Sequence, residues 1–186
     1  HNWDFRNPVN QRGQSSYSGK AGVETIDRWR STATNEFVNV NNGSVTFGKT
    51  TNVGTFIQQI IETPTSFIGK ELTFTVKVVG VSGSVSLRFF EDGNLVRESE
   101  QFSSTGLYSV THVVNSGISQ LAVGLAAKTG SANVTLESAK LELGSVSTLA
   151  NDPPAVYSEQ LAFCGPVVAT TAPTSYIGQD GQWQVY

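Results

Sequence analysis

The sequence is poor in residue types on which several protein classes depend. Its 186 residues include no methionine and only one cysteine, Cys164, so an internal disulfide is excluded. Charged residues make up 15% of the chain, where an average domain has about 25%. The solvated outer faces of a helical bundle would need more of them. A domain of this length can be held by its core alone, and we interpret Cys164 as a small buried hydrophobic residue.

Other absences restrict the partners of the chain. Its net charge is −3 and its pI is about 5.3, which disfavours nucleic-acid binding by a basic face. No apolar run approaches the roughly 18–20 residues that span a bilayer, so membrane insertion is not expected. The chain shows no signal-peptide pattern and no initiator methionine. We interpret it as a processed product or a piece of a longer protein.

Motifs for metal binding and nucleophilic catalysis are also missing. The sequence contains no HExxH, CxxC, GxSxG or GxxxxGK[ST] pattern. One cysteine and two distant histidines, His1 and His112, do not make a zinc site. His112 shares its alternation phase with Val110 and Val114, which predicts a packed side chain. We expect no metal and no cofactor.

Paired carboxylates are the remaining route to catalysis, because two of them can hydrolyse a glycoside. Glu91 and Asp92 are neighbours in an apparent turn, and Glu98 and Glu100 stand one residue apart on a strand. Adjacent acids in a turn are usually solvated, and we interpret Glu91 and Asp92 in this way. The sequence therefore predicts a protein that is not an enzyme.

Apolar and polar residues alternate along most of the chain, which is typical of half-buried strands. Strands are predicted over 72–78, 85–89, 108–114, 121–125 and 133–143, with weaker ones at Ile26–Trp29, Phe37–Val40, Val45–Phe47 and Phe56–Ile61. Their predicted core consists of Leu72, Phe74, Val76, Val85, Leu87, Phe89, Leu121, Val123, Leu125 and Leu141. A hairpin turn is expected at 91–94, where Asp92-Gly93 tolerates positive φ. About nine or ten strands at this spacing indicate an all-β, jelly-roll-like β-sandwich.

Three local signals complete the predicted architecture. The alternation of 133–143 changes phase, so a bulge or bend is expected near Ser138. One short helix is predicted near 155–163, after Pro153-Pro154. A turn at Asp180-Gly181 suggests a terminal hairpin. The domains predicted are a sandwich over 1–164 and an extension over 165–186 packed on it.

Aromatic side chains near turns or on outward phases are candidates for binding sugars, since sugar rings present apolar faces that stack on aromatic planes. Tyr17, Phe90 and Trp183 fit this description, and Arg88 shares the outward phase of Phe90. The alternative is that these three rings pack against neighbours or against another copy of the chain. Trp29 is instead assigned to the core.

Several ordered segments of the chain resemble the C-terminal modules of phage and prophage tail-fibre proteins, over residues 2–164. The segments are Asn2-Trp3-Asp4-Phe5, Asn7-Pro8-Val9-Asn10-Gln11-Arg12-Gly13, Tyr17, Ile26-Asp27-Arg28-Trp29, Ala139-Lys140-Leu141-Glu142-Leu143-Gly144 and 157–164. The chain departs from the family pattern after Cys164, where Gly165-Pro166-Val167 stands in place of Gln-Arg-Tyr. The resemblance therefore implies nothing about the structure or function of residues 165–186.

The resemblance implies a non-catalytic adhesion module at the tip of a trimeric fibre. Its partner would be a bacterial cell-surface glycan, and it would lie on the extracellular virion tail after synthesis in the host cytoplasm. Arg12, Asp27 and Arg28, beside Trp29, would pin the N-terminal segment to the sandwich. Two alternatives stay open: a carbohydrate-binding module of a secreted polysaccharide-degrading enzyme, and a purely structural, fibre-trimerising domain.

Overall fold

Antiparallel strand pairing builds two sheets that share one core. The computed structural model describes residues 3–165, 176–177 and 183–184. One sheet has six strands in the order β1-β3-β4-β11-β6-β9, and the other has five in the order β2-β5-β10-β7-β8. From β4 to β11 the chain crosses repeatedly between the sheets, as in a jelly roll, the topology that the number and spacing of the strands indicated.

The elements have the following bounds. The strands are β1 Ser16–Ser18, β2 Trp29–Ser31, β3 Glu36–Asn41, β4 Ser44–Lys49, β5 Gly54–Ile61, β6 Glu71–Ser82, β7 Val85–Glu91, β8 Asn94–Glu98, β9 Gly106–Val113, β10 Leu121–Ala127, β11 Ala132–Leu143, β12 Tyr176–Ile177 and β13 Trp183–Gln184. Two 3-10 helices cover Pro64–Phe67 and Leu149–Asn151, and one α-helix, α1, covers Tyr157–Cys164.

The predicted core is confirmed. Nine of its ten members are at most 1% exposed, and Leu141 is partly buried against the same cluster. Trp29 also lies in the core, with its ring 5.7 Å from that of Phe5 and 5.5 Å from that of Phe47. The inward phases of both sheets therefore supply a single hydrophobic centre.

The predicted turn and bulge are both present. Asp92 and Gly93 have φ of 48° and 81° in the β7–β8 hairpin, as a two-residue primed turn requires. The register of β11 against β6 shifts twice, between Thr135 and Leu136 and between Leu136 and Ser138. Beyond this bulge the N-terminal segment replaces β4 as the neighbour of β11, since Phe5 N donates to Glu137 O and Ala139 N donates to Trp3 O.

Two boundaries differ from the prediction. Residues Ile26–Trp29 form a tight turn rather than a strand, since Trp29 N donates to Ile26 O and Arg28 has φ of 72°. The strand starts at Trp29. Helix α1 begins at Tyr157 rather than Ala155, because Val156 has extended backbone angles, φ −76° and ψ 118°. Ala155 N donates to the Asp4 carboxylate.

The N-terminal segment is tied to the end of the sandwich sequence by buried polar contacts. The Gln160 side chain on α1 accepts from Trp3 N and Asp4 N. Burial alone would raise the pKa of Asp4, yet donors from Arg6 and Ala155 outweigh it and lower that pKa. Two segments quoted for the fibre resemblance thus meet at one structural junction.

The terminal hairpin is present as an antiparallel pair, with Tyr176 opposite Gln184 and Ile177 opposite Trp183. Its packing on the sandwich lies outside the described residues, so that prediction stands untested. Within the part of the chain that is described, no helix is long and apolar enough to cross a membrane.

Candidate functional site

The outer face of the five-stranded sheet carries two neighbouring cross-strand rows of different character. One row, read across β5, β10, β7 and β8, is Ile60, Ala122, Phe90 and Leu95. The next row, from β2 to β8, is Arg30, Gln58, Gly124, Arg88 and Glu98. The second row crosses five strands and so measures about 19 Å. An apolar strip therefore lies beside a polar strip on one sheet face.

Small residues on β10 form the floor of this face. Inward Leu121, Val123 and Leu125 alternate with outward Ala122, Gly124 and Ala126. A Cβ on Gly124 would lie 2.7 Å from the Ile57 carbonyl oxygen, so glycine is required where β5 bulges.

Arg88 crosses this low floor. Its Nε donates to Glu98 Oε1 at 2.8 Å, and its Nη1 donates to Thr55 Oγ1 at 3.0 Å on the far side of β10. The crossing covers the part of the floor near Ala126, which is fully buried. The remaining open part lies between the side chains that surround Ala122, which is itself only 3% exposed.

That open part is a groove of about 400 Å³, which we call the outer groove. Its lining residues are Gly22, Arg30, Ser31, Thr32, Thr55, Gln58, Phe90, Gly93, Gln120 and Ala122.

The outer groove contains polar side chains that are not used by the fold. The Gln58 and Gln120 amides make no side-chain hydrogen bond to any described residue. Arg30 makes one, from Nη2 to Gly22 O at 3.1 Å, and its buried Nε has no partner among these residues. Phe90 stands beside them, half-buried. Convergent donors next to an apolar ring are the usual composition of a binding site.

The carboxylate of Glu98, at the other end of the polar row, already accepts hydrogen bonds from three side chains. Ser86 Oγ, Arg88 Nε and Lys128 Nζ donate to it at 2.6, 2.8 and 3.1 Å. Burial alone would raise the pKa of Glu98, but these donors outweigh it and lower the pKa. Its charge is neutralised internally, so it does not offer a free carboxylate to the groove.

A second cavity, of about 380 Å³, lies at one end of the sandwich and is lined by core rings, including Trp29 and Phe74. Its charged groups are engaged: Lys140 Nζ lies 2.9 Å from Glu142 Oε1 and 2.5 Å from Asp152 Oδ2, and Glu62 accepts from Arg28. Trp3 and Thr63 also line this cavity. Because its charged groups already have partners, we place the candidate site in the outer groove instead.

The residues predicted to bind a ligand are placed differently from one another. Phe90 lines the outer groove, and Arg88 stands on the same outward face. Tyr17 corrects our expectation of exposure: it is only 7% exposed, because it lies opposite Val38 on the inward phase and its hydroxyl donates to Asn10. The backbone of Trp183 belongs to β13, and its side chain lies outside the described residues.

The predicted pinning motif is present in a changed form. Arg12 Nη1 lies 3.6 Å from Asp27 Oδ1, and Gln11 Nε2 donates to both Asp27 Oδ2 and Gly165 O at 2.7 Å. Burial raises the pKa of Asp27. Arg28 has a left-handed φ of 72°, and its Nη1 pairs with Glu62 Oε1 at 2.6 Å.

Glu91 corrects our expectation of a solvated turn acid: it is 5% exposed and accepts from Asn115 Nδ2, because it lies at the inward end of β7 beside His112. His112 is packed, as predicted, with Nε2 2.8 Å from Glu91 Oε1 and its ring against Phe89. Asp92 accepts from Ser119 and Gln120.

Cys164 is 7% exposed, and burial raises the pKa of its thiol to about 11, which confirms it as a buried residue. Among the described residues, no cluster of three or more His, Cys, Asp or Glu side chains is arranged to hold a metal ion.

Arg30, Gln58, Gln120 and Ala122 are groove residues that sequence reasoning missed. A signal was available in β10, where the outward phase is Ala-Gly-Ala between large inward residues. A run of small outward residues on a central strand indicates a depression in the surface of the sheet. Arg30 carried no such signal, because its position depends on the short β2 pairing with β5.

No family model matches the chain, and no curated protein matches it. Solved structures with a similar fold include several carbohydrate-binding modules. One of family 4 is 13% identical, covering 77% of this chain and 99% of its own, with a TM-score of 0.45. A mutant of a family 29 module is 12% identical, covering 69% and 90%, with a TM-score of 0.42. A family 29 module complexed with mannohexaose is 11% identical, covering 68% and 88%, also at 0.42. These likenesses concern the two-sheet sandwich, and no site residue is transferred from them.

Proposed function

We propose that this chain is a non-catalytic module that binds a glycan in the outer groove. The observation that carries the proposal is the presence of unengaged Gln58, Gln120 and Arg30 donors beside the Phe90 ring, above the low floor at Ala122. A sugar ring has an apolar face and a rim of hydroxyls. It can stack on Phe90 while its hydroxyls bond to the amides and the guanidinium.

The absence of catalysis is part of the same proposal. Glu91, Asp92 and Glu98 are each held by hydrogen bonds from neighbouring side chains or backbone. The carboxylates of all three are occupied as acceptors, and none belongs to the groove lining. We expect no steady release of reducing ends when the pure protein is incubated with a polysaccharide that it binds.

Replacement of the groove ring tests the function. Phe90→Ala should weaken binding to the best polysaccharide of an array by about tenfold or more, since one stacked ring contributes roughly 1.4 kcal/mol. A matched control is Tyr157→Ala, which removes an exposed ring on α1, away from the groove. Parent affinity should be weak, near ~0.1–1 mM per site.

The melting temperature of each variant establishes that it is folded. If folded Phe90→Ala binds as tightly as the parent, the outer groove is not the site. If Tyr157→Ala is equally defective, the loss is not specific to the groove.

The polypeptide that carries the module is proposed from the sequence resemblance alone. The tip of a phage-type tail fibre would make it a trimer on the virion surface, where three weak sites gain effective concentration on a glycan-rich cell. Light scattering on the pure chain at tens of micromolar tests this. A trimeric mass supports the fibre, and a monomer that still binds glycan supports a module appended to a polysaccharide-degrading enzyme.

A further inference from the structure

The arginines of the described chain divide into two groups by their partners. Four lie within ion-pair distance of at least one carboxylate: Arg6 with Asp4, Arg12 with Asp27, Arg28 with Glu62 and Arg88 with Glu98. Arg30 and Arg97 have no such pair among the described residues. Arg97 is exposed on β8, where water solvates it, whereas Arg30 is half-buried in the outer groove.

The surroundings of Arg30 hold its guanidinium in place without neutralising it. The Gly22 carbonyl accepts from Nη2 at 3.1 Å, and a Cβ on Gly22 would lie 3.0 Å from that nitrogen. Glu24 lies opposite Arg30 across a β-bridge, but its carboxylate pairs with Arg12 at 3.4 Å. The Nε donor is buried without a partner among the described residues.

We propose that Arg30 selects glycans that carry an oxyanion, a carboxylate or a sulfate, at the unit bound beside Phe90. This inference rests on the proposed glycan-binding function and names its ligand class. A planar guanidinium can donate two parallel hydrogen bonds to an oxyanion. In a half-buried groove that bond is screened less than on an open surface. Arg30 is thus a specificity residue, and its charge is available because Gly22 supplies only a neutral acceptor.

Arg30 is the only charged residue among those that line the groove. Two acids lie next to it and already have partners: Asp92 precedes the lining residue Gly93 and accepts from Ser119 and Gln120, and Glu24 pairs with Arg12. The nearest acid on the polar row, Glu98, is compensated by Arg88 and Lys128. Although the net charge of the chain is −3, the residues that line the groove carry a single positive charge, that of Arg30.

Matched polysaccharide pairs test the proposal directly. Acidic polysaccharides are assayed against their carboxyl-reduced forms, and sulfated ones against their desulfated forms, by titration with the full chain. The parent should bind the acidic member of at least one pair about tenfold tighter or more, as expected for a charge-assisted hydrogen bond. The pair that shows the difference identifies carboxylate or sulfate as the oxyanion. Added NaCl should reduce the preference.

Arg30→Gln should reduce that ratio to near one, because the acidic member loses far more affinity than the uncharged member, which loses only a hydroxyl contact. Arg97→Gln is the matched control, because it removes an unpaired arginine outside the groove, and it should keep the parent's ratio. Melting temperatures show that both variants are folded. Equal binding of charged and uncharged members by the parent overturns the ligand class while leaving glycan binding intact. A preference that survives in Arg30→Gln overturns the role of Arg30. Failure to bind any glycan instead removes the proposed function itself.

Discussion

The two outer faces of the sandwich treat their polar side chains in opposite ways. On the six-stranded sheet, outward hydroxyls bond to one another across strands: Thr46 to Thr135 at 2.8 Å, and Thr73 to Thr111 at 3.0 Å. On the five-stranded sheet, Gln58 and the Arg30 guanidinium keep most of their donors unused. In both sheets the outward residues alternate with inward residues that belong to one core, so this alternation does not explain the difference.

The difference shows that exposure alone does not make a polar face a binding site. A hydroxyl that already bonds its neighbour gains little by exchanging that partner for a ligand. An amide or guanidinium without a protein partner exchanges only water. The six-stranded face is therefore expected to contribute to stability, and the five-stranded face to binding. Each prediction below separates these two contributions.

The largest expected effect belongs to the core beneath both faces. Phe74→Ala removes a ring that is 1% exposed and should lower the free energy of unfolding by about 3–5 kcal/mol. Because the core supports both faces equally, glycan affinity per folded molecule should not change. Urea unfolding and a titration at low temperature measure the two quantities. An unchanged unfolding midpoint would show that β6 is misassigned.

Acid should destabilise the protein by protonating Glu142 on the six-stranded face. The Glu142 carboxylate accepts hydrogen bonds from Ser147 and Thr148 in the loop that follows β11. Burial alone would raise the pKa of Glu142, but donors from Thr148, Lys140 and Ser147 lower it to about 2 from 4.5. A lowered folded pKa stabilises fully above about 4.5, and this contribution is lost as pH falls toward 2.

The expected loss is roughly 1–3 kcal/mol, less than the full shift because the side chain is partly solvated. Glu142→Gln should be less stable than the parent at pH 7 and nearly equal to it at pH 2. Thermal unfolding across this range measures the difference. An equal slope in parent and variant would mean that other carboxylates govern the acid response.

A hydroxyl pair on the six-stranded face should matter moderately for stability and not at all for binding. The double variant Thr46→Val, Thr135→Val removes both partners of one hydrogen bond. Asn41 Nδ2, which also donates to Thr46, is exposed and can bond to water instead. The expected cost is at most about 1 kcal/mol. Glycan titration should give the parent affinity. A loss of binding in this folded variant would assign function to the wrong face.

The smallest effect on stability is expected in the outer groove. Gln120→Ala removes an exposed amide with no side-chain partner among the described residues, so the melting temperature should not change. Glycan affinity should fall by about two- to tenfold, the value of one neutral hydrogen bond. Isothermal titration beside a melting curve measures both. A fall in melting temperature without a fall in affinity would reverse the assignment.

The sequence was sufficient for features that depend on local pattern. The alternation in β6, β7 and β10 identified the core, and Asp92-Gly93 identified the hairpin turn. Phe90 and Arg88 were placed on one outward face because they are two residues apart on one strand. Each of these inferences needs only the period of two within a strand.

Features that depend on pairing between distant strands could not be predicted from the sequence. Tyr17 was expected to be exposed, but the pairing of β1 with β3 turns it inward. Arg30 reaches the groove only because β2 pairs with β5, and Gln58 is its cross-strand neighbour. Strand order is set by contacts between segments far apart in the chain, and a local pattern does not carry it.

The central claim, that ligand binds on the five-stranded face, is tested most directly by NMR titration of the labelled chain with the polysaccharide selected on the array. Backbone shift changes should cluster on β5, β10 and β7, largest at Ala122, Phe90 and Gln58, and stay small at Thr46 and Thr135. Changes centred instead on the six-stranded face, or on the cavity beside Trp3, would contradict the account.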